Sequence, residues 1–175
     1  MTCIRWQVIV LCWLATCYAD SLSTTQNVSI GISPLGKLSV PSTVAMRTGG
    51  VPFAPFTGVL PVSFRARTSP AGGGLITAEA TSDFTPGGGP SIASGEVRYT
   101  CGGASLGTAC SGSQVLSTGS QTPVLTIPAG ACTGGGNGCS TADPNSVTIS
   151  FSLDNSPQYP TGNYSAQVTF TISAI

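Results

Sequence analysis

A chain of 175 residues with six basic and six acidic side chains has no net charge, so no long-range field draws it to nucleic acid or an anionic membrane. Only 7% of the residues are charged while 41% are hydrophobic, which excludes the disorder that combines low hydrophobicity with high net charge. Histidine is absent altogether, and with it go the commonest general base, the Ser-His and Cys-His nucleophile pairs and the commonest metal ligand.

Residues 1–5 are short and carry one positive charge, and residues 6–14 are apolar apart from Gln7. Cys17-Tyr18-Ala19 then places small residues where a signal peptidase reads its substrate. Residues 1–19 are therefore expected to be a secretory signal peptide, too short in its apolar run to span a bilayer, and residues 20–175 an exported domain. A rival reading treats Leu14-Ala15-Thr16-Cys17 as a bacterial lipobox with a lipid anchor on Cys17; Thr16 stands where that motif wants Gly, Ala or Ser.

From residue 28 onward the pattern has period two. Val28, Ile30 and Ile32 alternate with Ser29 and Gly31, and a short candidate follows at residues 37–40. Leu60, Val62, Phe64 and Ala66 alternate with Pro61, Ser63 and two arginines; Ile76, Ala78 and Ala80 alternate with Thr77, Glu79 and Thr81. Val97 and Tyr99 form a further pair, and residues 124–127 are bracketed by Pro123 and Pro128. Val147, Ile149, Phe151 and Leu153, and finally Tyr164, Ala166, Val168, Phe170 and Ile172, alternate with hydroxyl-bearing or amide residues. Each reads as a half-buried strand. Glycine runs at 72–74, 87–89 and 134–136 punctuate them as turns; none is followed by the Lys-Ser/Thr of a phosphate-binding loop. The reading is a single all-β domain, an antiparallel β-sandwich of about eight strands, Ig-like or pilin-like.

Four cysteines fall after the leader: Cys101, Cys110, Cys132 and Cys139. An even number in an exported chain reads as two disulfides with three possible connectivities, and their order favours the local pairs Cys101–Cys110 and Cys132–Cys139. A four-thiolate zinc site is the rival, but no Cys-x-x-Cys knuckle is present. The Gly/Ser/Thr-rich stretch 101–139 is long for a connection and points to a binding or assembly surface.

Catalytic constellations are thin. The carboxylates after the leader are Asp20, Glu79, Asp83, Glu96, Asp143 and Asp154. Glu79 and Asp83 on one regular strand sit about 13 Å apart, too far for a glycosidase pair. Glu79 could face Glu96 across neighbouring strands, or Glu96 could pair with Arg65 or Arg67 on a polar sheet face. Asp143, Asn145, Asp154 and Asn155 are hard oxygen donors, but they form no dense calcium run, and residues 154–157 read as an Asx turn. No cofactor and no metal is expected. Both tryptophans lie in the leader, so Phe53 and Phe56 are the only aromatics in an obvious loop and the candidate binding loop.

Pro160-Thr161-Gly162-Asn163-Tyr164, followed by Ser165-Ala166-Gln167-Val168-Thr169-Phe170-Thr171-Ile172, resembles the closing strand of secreted bacterial β-sandwich proteins of the fimbrial-subunit and spore-coat protein U type. The strand expected over residues 27–40 is similar to that family's N-terminal segment. In its chaperone–usher members such a segment is donated to a neighbouring subunit, so the resemblance implies that Val28, Ile30 and Ile32 are a strand-donation segment. The chain departs from pilins in ending Ser173-Ala174-Ile175, without a penultimate tyrosine, and in carrying its cysteines late.

The function expected is that of an exported, non-enzymatic surface or extracellular structural protein, a fimbrial or coat subunit assembling by β-strand addition. The partners are further copies or other surface proteins, with no nucleic acid and no membrane span. The alternative is an extracellular carbohydrate- or protein-binding module using Phe53, Phe56 and the 101–139 loops. A hydrolase on Glu79 and Glu96 is the third reading.

Overall fold

The structure is a computed structural model describing residues 27–132, 139 and 144–174. The signal-peptide reading, Cys17, Asp20 and Asp143 lie outside the described residues. Residues 1–31 and 32–175 are separate compact units, and of the first only 27–31 are described, without regular secondary structure.

Residues 32–175 form an all-β fold. Its strands among the described residues are β1 (Leu35–Ser39), β2 (Phe56–Arg67), β3 (Gly74–Ala80), β4 (Val97–Gly102), β5 (Thr108–Ala109), β6 (Gln114–Val115), β7 (Thr122–Ile127), β8 (Asn145–Leu153) and β9 (Val168–Ala174). They make two antiparallel sheets, one ordered β1-β2-β8-β4-β6 and the other β5-β7-β3-β9. The period-two segments do what the pattern requires. Leu60, Val62, Phe64 and Ala66 of β2 meet Val147, Ile149, Phe151 and Leu153 of β8 on the inner face, all buried. Ser146, Thr148, Ser150 and Ser152 face outward. Among the described residues no helix is long and apolar enough to cross a membrane.

The sandwich has two ends. At the first, β1, β3 and β8 begin and β2 and β9 finish; at the second, β2, β4 and β9 begin and β3 and β8 finish. Thr68 secures the first end: its hydroxyl donates to the Pro128 carbonyl at 2.9 Å and accepts from the Ala131 amide at 2.8 Å. Both local disulfides form, Cys101–Cys110 and Cys132–Cys139. Cys110 hydrogen-bonds to Val124 of β7, so the first bridge ties β4 of one sheet to the other sheet. In the core between them, Tyr99 donates to the Pro123 carbonyl at 2.9 Å and packs against Phe151 with ring centroids 5.9 Å apart. Burial pushes the Tyr99 hydroxyl pKa up, partly offset by its hydrogen bond with Thr122.

Three expectations need correction. Residues 28–32 are not a strand, and strand structure starts only after Pro34, at β1. Alternation says which face a segment can bury, not that this chain holds the partner edge. The last strand starts at Val168 rather than Tyr164, because Ser165 makes only an isolated bridge to Thr85 before the chain joins β3. The two-residue strands β5 and β6 are too short to show any periodicity and were not expected.

Candidate functional site

The edges β1 and β9, one from each sheet, lie side by side. At the first end they close on each other, because Gly36 has no side chain and Ile172 fills the space: a Cβ on Gly36 would lie 3.0 Å from Ile172 Cγ1. Beyond Leu38 the seam opens. β1 stops at Ser39 and pairs only with residues 63–67, which leaves the first half of β2 without a strand on that side.

In its place runs residues 40–46. This strap lies tight on β2 because Gly58 offers no side chain; Met46 Cγ and Val44 Cγ2 would each stand 3.1 Å from a Cβ there. The strap then bonds β2 once, through paired amide–carbonyl contacts of Arg47 and Thr57 at 2.8 Å.

The result is a groove of about 1180 Å³ between the sheets. One wall is Leu38, Phe56 and Leu60, and the other is Ala166, Val168 and Phe170. Between them the groove reaches the core at Val97, Leu116, Phe151 and Leu153. Most wall side chains are half-buried although they pack on the core. Contiguous apolar surface of this kind is a feature shared by interaction sites and ligand grooves.

The rim at the second end is built by the loop 81–96. Asp83 organises it, accepting from the amides of Phe84 (2.8 Å) and Ile92 (2.6 Å) and from the Ser91 hydroxyl (2.7 Å). Burial pushes the Asp83 carboxyl up, but the hydrogen bonds from Ser91, Ile92, Phe84 and Ala93 outweigh it and hold its pKa below the ordinary aspartate value. Glu96 accepts from the Ser91 amide at 2.6 Å. Burial, followed by the hydrogen bond and charge of Glu96 and the charge of Asp154, raises the Tyr159 hydroxyl. Tyr164 closes the rim, its hydroxyl donating to the Pro160 carbonyl at 2.7 Å while Gly89 lies flat against its ring.

Several proposed constellations do not come together. Glu79 is on β3 of one sheet and Glu96 precedes β4 of the other, so they do not face each other across neighbouring strands. Glu96 sits at the second end, whereas Arg65 and Arg67 finish β2 at the first, so that ion pair does not form. Of the calcium candidates, Asn145 starts β8 and Asp154 and Asn155 follow its far end. No cluster able to hold a metal ion is present among the described residues. Phe53 is 63% exposed at φ 57°, while Phe56 turns into the groove, so the two make no common platform. Cys132 follows Ala131, which is bonded to Thr68 at the first end; Phe53 precedes β2 at the second. Cys132 thus lies at the other end from Phe53, while Leu116 of the same 101–139 stretch lines the groove together with Phe56.

Val28 is 96%, Ile30 84% and Ile32 66% exposed, and none is in a strand. The strap and the groove residues Phe84, Ile92 and Leu116 were not legible as functional: they lie in Gly/Pro-rich connections without periodicity.

The chain matches no protein-family model, and no curated protein matches it in sequence. The fold and the groove therefore define its class: a disulfide-bonded antiparallel β-sandwich with one open seam.

Proposed function

We propose that the protein is an exported structural subunit that assembles by β-strand addition, the segment containing Val28, Ile30 and Ile32 of one copy occupying the groove of another. The observation that supports it is the pairing of two incomplete surfaces on one chain. An apolar groove between the first half of β2 and the edge strand β9 is accompanied by an alternating apolar segment that is exposed and outside any strand among the described residues. An added strand supplies main-chain hydrogen bonds to an exposed edge, and its alternate side chains enter the cleft at a spacing of about 6.6 Å. Seating three β-branched apolar residues is worth roughly 1.5–3 kcal/mol each before ordering costs. The two disulfides fit an oxidising, extracellular setting.

The structure also defines the test. A truncation that removed β1 would unfold the edge of a sheet, so the cut belongs after Ile32, leaving Ser33, whose carbonyl accepts from Arg67 Nη2 at 2.6 Å. Light scattering after gel filtration should show polymers for residues 20–175 and a folded monomer for residues 33–175. A full-length chain that stays monomeric at all concentrations would overturn the reading.

A further inference from the structure

The described charges divide between the two ends. At the first end Lys37 stands directly opposite Arg65 in the β1–β2 register, and Arg67 follows two residues on. Inward-facing positions of β2 are the even ones, so all three cations share the outer face. Like charges directly opposite in a sheet are unfavourable. No carboxylate among the described residues lies at this end to relieve them. Arg67 turns two donors onto the Ser33 carbonyl, and Arg65 Nε is buried without a hydrogen-bond partner.

Every described carboxylate is at the second end. Glu79 is next to last in β3, Asp83 and Glu96 belong to the loop after it, and Asp154 follows β8. Arg47 and Arg98 are also there, so the described residues place four carboxylates and two arginines at the second end and Lys37, Arg65 and Arg67 at the first. The ends are about 30 Å apart along β2, several Debye lengths at physiological salt, so the described charges at one end do not neutralise those at the other within one molecule.

We propose that successive copies meet end to end, the Lys37, Arg65 and Arg67 face of one against the Asp83, Glu96 and Asp154 end of the next. This rests on the strand-addition reading and deepens it. Residues 28–32 continue directly into β1, which begins at the cationic end, while the groove lies toward the acidic end with Tyr159 on its rim. A donated segment therefore brings a cationic end to an acidic one. The contact is heterologous, using two different patches, and such contacts propagate into filaments rather than closing into dimers. Charge complementarity sets the direction and the rate of encounter, and the groove supplies the lasting hold.

The test uses the full-length secreted chain and two exposed positions, Lys37→Glu and Asp154→Lys, singly and together. Polymer growth is followed by light scattering at low and high salt. Each single reversal should slow growth at low salt by roughly tenfold or more, the pair should recover most of the rate, and high salt should erase the differences. In parallel, a synthetic peptide of residues 26–34 is titrated into the truncated domain carrying each reversal. Equal peptide binding with altered growth supports the inference. Equal peptide binding with unchanged growth overturns it and leaves strand addition standing. No peptide binding to the unsubstituted domain overturns strand addition, and this inference with it.

Discussion

The closed middle of the sandwich and its open seam are made of the same residue types, yet they behave differently. In the middle, β8, β4 and the second half of β2 have a neighbour on both sides, and Val62, Phe64, Val97, Tyr99, Val147 and Ile149 are almost wholly removed from water. At the seam, Leu38, Val168 and Phe170 point inward from strands that have a neighbour on one side only, and they remain half-buried. Whether a side chain is buried thus depends on its strand's neighbours and not on its own hydrophobicity. The seam is where the edge strands of the two sheets, β1 and β9, run side by side without closing along their whole length.

This contrast can be pressed from the largest effect downward. Phe64→Ala in the closed core should cost about 3–5 kcal/mol and leave little folded protein, whereas Phe170→Ala at the seam should cost clearly less in the monomer; chemical denaturation of both variants measures the gap. Equal losses would mean that the seam is as well packed as the core. Removing the Cys101–Cys110 bridge by a double Cys→Ala change should lower stability by roughly 2–3 kcal/mol, the chain-entropy value for so short a loop, seen as a drop in Tm. The groove should persist, because neither cysteine lines it.

Asp83 gives a pH-dependent effect at the rim. Its folded pKa is depressed, so its contribution is complete above the unfolded value of about 3.9 and is lost as pH falls below it. Asp83→Asn should cost on the order of 1 kcal/mol at neutral pH, since an amide replaces one acceptor by a donor. It should also flatten the dependence of Tm on pH below about 4. A native-like slope in this variant would assign acid sensitivity to another carboxylate. Smallest of all in the monomer, Ile30→Asp should change stability by less than about 0.5 kcal/mol, its side chain being exposed. The same change should abolish polymer growth, and intact growth would break the proposed pairing.

Much of the fold was legible because period-two alternation is a direct imprint of a two-faced sheet. Residues 60–66 and 147–153 carry it without interruption, and both are central strands. The local disulfide pairs were legible from order alone. The candidate site was legible only in part. Val28, Ile30 and Ile32 could be singled out by their pattern, but the same pattern made them look like an ordinary strand. The groove was invisible, since its walls come from β1, β2 and β9, far apart in the chain, and its strap, residues 40–46, has no period at all. The paired-carboxylate and calcium ideas failed for a related reason: spacing along the chain says nothing about which sheet a strand joins.

The chain by itself determined the class of structure: sparsely charged, histidine-free, hydroxyl-rich alternating strands with glycine turns bury a core as stacked sheets. Tertiary structure alone decided which strands have neighbours on both sides and that β1 stops five residues in, leaving its sheet open toward β9. It also sorted the described acids to one end and Lys37, Arg65 and Arg67 to the other. These outcomes follow from strand order and register, which long-range pairing sets and local sequence does not encode.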